Sequence, residues 1–171
     1  MQSLNRIAFL SVFTAASISL FVVESLFPTP IPGIRLGLAN IFTLLALIYL
    51  GLREAILIGI LKSVIGSLIL ARLLTPTFIF SISGTVASTF IMWLIIKTRL
   101  PFSLLGISII GAEAHIMIQL LLAVFIFLPG ISLLYISPIY ILSSIITGSV
   151  TGFLTYLFYS KTKRRYKFCV Y

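Results

Sequence analysis

The feature that most constrains this chain is a succession of apolar runs close to twenty residues long, separated by short punctuation of proline, glycine and charge. A helix needs about twenty such residues to cross hydrocarbon roughly 30 Å thick. Charged residues make up 9% of the sequence and hydrophobic residues 60%, against roughly a quarter charged in soluble domains. So little charge cannot cover a water-facing surface, and the solvent for most of this chain is therefore lipid. Barrel strands would alternate apolar and polar residues, which these runs do not. The fold class that follows is an all-α membrane protein.

The punctuation predicts six transmembrane helices, near 7–27, 36–50, 54–70, 77–96, 102–128 and 136–159. The first follows a single Arg6 and has no small-x-small cleavage site before Glu24, so it reads as a retained helix rather than a signal peptide. An even number of spans puts both termini on one side. Arg6, Arg53, Lys97, Arg99, Lys161, Lys163, Arg164, Arg165 and Lys167 fall on that side, against Arg35 and Arg72 on the other, which makes both termini cytoplasmic. The expected location is the cytoplasmic membrane, with residues 1–160 as a single transmembrane domain and 161–171 as a basic cytoplasmic tail drawn to anionic membrane lipid. The net charge of +9 would suit nucleic acid, but the basic residues gather at segment ends and in KTKRRYK. They form no amphipathic or aromatic-interleaved surface, and a nucleic-acid partner is not expected.

An ionisable side chain inside a membrane costs several kcal/mol unless it is paired or hydrated, so each one needs a reason. Lys62, the twelfth basic residue, lies midway along the third helix, and Glu113 and His115 lie near the middle of the fifth. Gln119 follows His115 by four residues and shares its face, whereas Glu113 lies roughly opposite. The topology sets Glu24, Arg35, Asn40, Lys62, His115 and Gln119 from mid-membrane outward, where they can line one outward-opening cavity. Mostly apolar walls with a few polar groups are what a solute site needs. Two readings stand for each member. Lys62 contacts a ligand or pairs with Glu113 as structural glue, and His115 does the same or bonds a backbone carbonyl.

The stretch ESLFPTPIPGIRLGLAN joins the first two helices. Pro28, Pro30 and Pro32 stiffen it, and Gly33 permits a sharp turn. It is either a lid over the bundle mouth or a rigid re-entrant loop, with Arg35 at the headgroups and Glu24 as its salt partner. Small residues recur every four positions at Ser11, Ala15 and Ser19, at Gly59, Ser63 and Ser67, and at Gly148 and Gly152. Such stripes let helices approach closely, either within the bundle or against another membrane protein.

Some chemistry is missing from the sequence. All three acids are glutamates, so there is no aspartate-rich magnesium site for diphosphate chemistry, and no GxxxxGK[ST] loop for ATP. One histidine and one cysteine, Cys169, on different segments do not make a zinc site. No nucleophile, base and acid are set together by spacing. The expectation is a protein that is not an enzyme and needs no cofactor or metal.

The stretches VESLFPTPIPGIRLGLANIFTLLALIYLGLREAILIGILKSVIGSLI, FSISGTVAS and GAEAHIMIQL, with the six-span layout, resemble the heptaprenyl diphosphate synthase component I family, also named the Gx transporter family. PGIRLGLAN is the most specific part. Members look like the substrate-binding S components of energy-coupling factor transporters, six-helix bundles that hold a solute near the outer face under loop lids. Small-residue faces of such bundles dock on a transmembrane coupling subunit driven by ATPases. The resemblance implies Glu24, Arg35 and Asn40 at the mouth, Lys62 within the bundle, His115 with Gln119 on the fifth helix, and Ser11, Ala15 and Ser19 as a docking stripe. It does not account for Glu113, where the family usually carries a small apolar residue. The expected function is uptake of a small or amphiphilic, anionic solute from the outer face. The alternative is a non-catalytic accessory subunit of polyprenyl diphosphate or quinone biosynthesis.

Overall fold

The computed structural model describes residues 2–27, 37–127 and 133–163. The proline-rich connection with Pro28, Pro30, Pro32, Gly33 and Arg35, and the tail from Arg164 onward, lie outside the described residues. Six helices follow one another as α1 (Gln2–Leu26), α2 (Ala39–Tyr49), α3 (Leu52–Ile69), α4 (Pro76–Lys97), α5 (Leu104–Leu122) and α6 (Leu133–Lys163), with a π-helical turn at Ala123–Phe127 continuing α5. No strand occurs among the described residues.

The helix ends have local causes. Between α2 and α3 the chain reverses at Gly51, whose φ of 104° is open to glycine and strained for other residues. The N–H groups of Leu50 and Gly51 both close onto the Ala46 carbonyl, at 2.7 and 3.0 Å. Thr75 is extended ahead of Pro76, which opens α4 where a missing N–H costs nothing. Ser103 caps α5 by accepting the Gly106 N–H at 3.2 Å.

Four helices are long and apolar enough to cross a membrane, which makes this a multi-pass membrane-embedded protein: α1, α4, α5 with its π turn, and α6. The six expected helices are all present, and the second is shorter than expected. In place of a helix over 36–50, α2 has 11 residues and rises only about 16 Å, and α3 carries Arg53, Glu54 and Lys62. The packing explains how α2 can be so short. It contacts α1, α3, α4 and α6, and Ala39, Ile41 and Thr43 through Leu47 are all buried. A helix buried all round belongs at the centre of a bundle and has no lipid to match. The outer helices turn side chains such as Val12, Phe90, Leu142 and Phe153 outward.

The start of α1 and the end of α6 meet the α2–α3 turn at one end of the bundle. Arg6 forms an ion pair with Glu54 and donates to the Leu50 carbonyl at 3.2 Å. Tyr159 lies against Tyr49, with ring centroids 5.9 Å apart. This half is solid: Leu44, Ala46, Leu47, Ala55, Ile58, Met92, Ile95 and Ile107 form a continuous apolar core. Two of the three small-residue stripes act inside the bundle. A Cβ at Gly148 would lie 2.8 Å from the Ile109 Cα, and one at Gly152 2.8 Å from the Leu105 Cα, so both glycines let α6 touch the α5 backbone. Ser63 reaches Ser81 on α4 at 3.1 Å. Ser11, Ala15 and Ser19 instead lie exposed on α1.

Gly148→Leu should lower the thermal unfolding midpoint in detergent by about 3–10 °C, because a side chain there must force α5 and α6 apart. Val150→Leu, on the exposed face two residues away, should leave the midpoint within about 1 °C.

Candidate functional site

The half of the bundle opposite the chain ends is hollow. A cavity there offers water centres about 120 Å³, several times the roughly 10–15 Å³ that one water requires. The last turn of α1, the first of α2, the later part of α3, the start of α4, the later part of α5 and the middle of α6 all contribute to it. Glu24, Asn40, Lys62, His115 and Gln119 line this one space. Arg35 lies outside the described residues.

Glu24 is 7% exposed and accepts the backbone N–H of Leu38. An acid at that point satisfies a donor otherwise orphaned at the start of α2 and meets the positive end of the helix dipole. Gly37, with φ of 76°, makes the turn that presents this N–H. Two residues further on, Asn40 accepts from Lys62 Nζ at 2.6 Å. Lys62 is 2% exposed, so its ammonium is held by a carbonyl dipole of a neighbouring helix rather than by bulk water.

His115 lies flat over Gly84 on α4, where an added Cβ would be 2.9–3.0 Å from three ring atoms. Its Nε2 is 2.9 Å from Gln119 Nε2, and the same amide nitrogen donates to the Phe80 carbonyl at 3.3 Å. A carbonyl only accepts, so the NH₂ of Gln119 faces both the Phe80 carbonyl and the imidazole Nε2. Glu113 points elsewhere, accepting from Ser144 Oγ on α6 at 2.6 Å. The glutamate thus clasps α5 to α6, and the hydrogen bonds described do not join it to Lys62.

One cation, one amide carbonyl, a histidine–glutamine pair and a ring of hydroxyls can hold a small polar solute by directed hydrogen bonds, with Phe21, Phe80 and Ile116 as apolar wall. Among the described residues no three histidine, cysteine or acidic side chains gather as metal ligands. The sequence profile described as heptaprenyl diphosphate synthase component I matches residues 13–158. The chain belongs to the heptaprenyl diphosphate synthase component I family. No curated protein and no solved structure matches it significantly.

In this component I family member the sequence leaves several wall residues unmarked. Ser81, Thr85, Thr147 and Thr151 line the cavity, yet serine and threonine are scattered through all the helices and carry no signal of depth or direction. Gly84 is equally silent until the His115 ring is seen resting on it.

A double-mutant cycle on Lys62→Met and Asn40→Leu, read by thermal or denaturant unfolding, should return a coupling of about 1.5–3 kcal/mol. Additive effects would show that the bond between the two carries no net stability.

Proposed function

We propose that this chain is a solute-binding subunit of a membrane transport system that takes up a small or amphiphilic anionic solute from the outer face. The observation that carries this reading is the division of the bundle, sealed by apolar packing at the end with the chain termini and hollow, with a buried cation, at the other. Lys62 is assigned the acidic group of the solute, with Asn40 orienting the ammonium. His115 and Gln119 supply the opposite polar wall. Glu24 acts through α2, which it caps, and Arg35 is assigned to the mouth.

Arg6, Arg53, Lys97, Arg99 and Lys161 belong to the helix ends around the chain termini, against Arg72 beyond α3 at the cavity end. The positive-inside rule then makes the termini cytoplasmic, with the cavity facing out of the cytoplasmic membrane and the chain crossing six times with α2 and α3 as inner crossings. Residues 1–160 act as one transmembrane unit, and 161–171 as a basic segment at anionic lipid. The exposed Ser11, Ala15 and Ser19 are proposed to dock a transmembrane coupling subunit with ATPases, as in the S components that the family resembles. No catalytic step is assigned to the chain.

The family description favours a second reading, in which the chain is a membrane accessory subunit that presents polyprenyl diphosphate or quinone precursors to a soluble synthase. Co-purification separates the two: the first expects an ATPase-bearing membrane module, the second an aspartate-rich synthase. For the first, Lys62→Ala and His115→Ala at normal expression should each reduce solute uptake, or the thermal shift produced by solute, at least about tenfold, equivalent to the loss of one charge-assisted bond. Wild-type behaviour in both variants would remove the cavity from the mechanism.

A further inference from the structure

Beneath the solute cavity lies a second, smaller space of about 20 Å³, which shares Asn40, Ala112 and Thr151 with the first. We infer that this space is a binding site for a single internal water molecule, held by Thr43, Ser88 and Ser108. The inference is independent of which solute, if any, enters the larger cavity.

The volume suits one water and no larger guest, since one water needs roughly 10–15 Å³ by the same measure. The hydrogen-bond inventory of the walls then fixes the guest's chemistry. Thr43 is 1% exposed, and its Oγ1 has no hydrogen-bond partner among the described residues. Its methyl group is directed toward α3, 4.0 Å from where a Cβ on Gly59 would be. Thr43 borders the small space, whose walls belong to α2, α4, α5 and α6, and its unpartnered hydroxyl is assigned to that space. That hydroxyl has a proton to give.

The other two hydroxyls have spent theirs. Ser88 Oγ donates to the Thr85 carbonyl at 3.0 Å. Ser108 Oγ lies 2.9 Å from Thr151 Oγ1, and Thr151 Oγ1 already donates to the Thr147 carbonyl at 2.8 Å. A hydroxyl has one proton, so with that of Thr151 directed at the carbonyls of Thr147 and Gly148 Ser108 is taken as the donor of the pair. Ser88 and Ser108 therefore present lone pairs to the space while Thr43 presents an O–H. A water that accepts from Thr43 and donates to Ser88 and Ser108 makes three bonds, the usual number for a buried water. A metal cation is disfavoured because the Lys62 ammonium sits on Asn40, which lines the same space, and because hard cations seek about six oxygen ligands. Left dry, the space would strand a buried hydroxyl at the centre of the bundle. With water in it, the floor of the solute cavity is a polar surface tied to α2, α4 and α5 together.

Thr43→Val tests this, because the two alternatives predict opposite signs. The substitution keeps the side-chain shape and removes the hydroxyl, so with a bound water it should lower the unfolding midpoint of the full-length protein by roughly 3–6 °C. Over a dry cavity it removes an unsatisfied group, and an unchanged or raised midpoint would overturn the inference. A crystal structure of the wild-type chain at better than about 1.8 Å gives the second readout. A density peak about 2.6–3.2 Å from Thr43 Oγ1, Ser88 Oγ and Ser108 Oγ is expected, and featureless density there overturns the proposal whatever the variant does.

Discussion

The interaction on which the rest of this structure depends is the bond from Lys62 to Asn40. An ammonium midway along a helix and only 2% exposed needs an acceptor supplied by the protein, because burial removes most of its hydration. Asn40 supplies that acceptor from the first turn of α2, so α2 has to start deep inside the bundle rather than at its surface. Glu24 makes such a beginning tolerable by accepting the Leu38 N–H. The central helix, the cavity beside it and the burial of a charge are three aspects of one arrangement.

Around that arrangement the bundle is divided lengthwise. Toward the chain ends, apolar side chains from α2, α3, α4 and α5 form one continuous core. Toward the other end Ser81, Thr85, Thr147 and Thr151 line the interior, and many buried hydroxyls along the bundle satisfy themselves on the preceding turn of their own helix, as Thr89 does on the Thr85 carbonyl at 2.7 Å and Thr155 on the Thr151 carbonyl at 2.7 Å. Such self-satisfied hydroxyls let a helix carry polar atoms inward without needing a partner on a neighbour. Bonds between helices are fewer and connect specific pairs: Ser17 to the Ala39 carbonyl, Ser63 to Ser81, and Ser144 to Glu113. Together with the glycine contacts of α6, they set which helices are neighbours where dispersion alone would discriminate weakly.

Much of this was legible from the residues. The six helices fall within a few residues of where proline, glycine and charge interrupt the apolar runs, because each interruption acts locally on the backbone. That Asn40, Lys62, His115, Gln119 and Glu24 share one space could be read from depth, since a topology orders residues along the membrane normal. The angular half of the problem was not legible. Depth could not say whether Lys62 meets Glu113 or Asn40, because it does not carry which helices are neighbours: α3 packs on α1, α2 and α4, whereas Glu113 lies on α5 and bonds Ser144 of α6. Nor could it show that the second apolar run is a short central helix, since a run enclosed by protein and one facing lipid can share the same composition.

By itself the sequence determined that the chain is helical and membrane-embedded, where most helices begin and end, and which few polar side chains would be costly to leave without partners. Those properties depend on backbone chemistry and transfer free energy, which act over a handful of neighbouring residues. Only the tertiary structure decided that Glu24 caps a helix, that Glu113 serves the α5–α6 contact, that His115 rests on Gly84, and that the Gly148 and Gly152 stripe faces inward while that of Ser11, Ala15 and Ser19 does not. Each of these follows from the rotation and spacing of helices far apart in the chain, which are set by how all six pack at once.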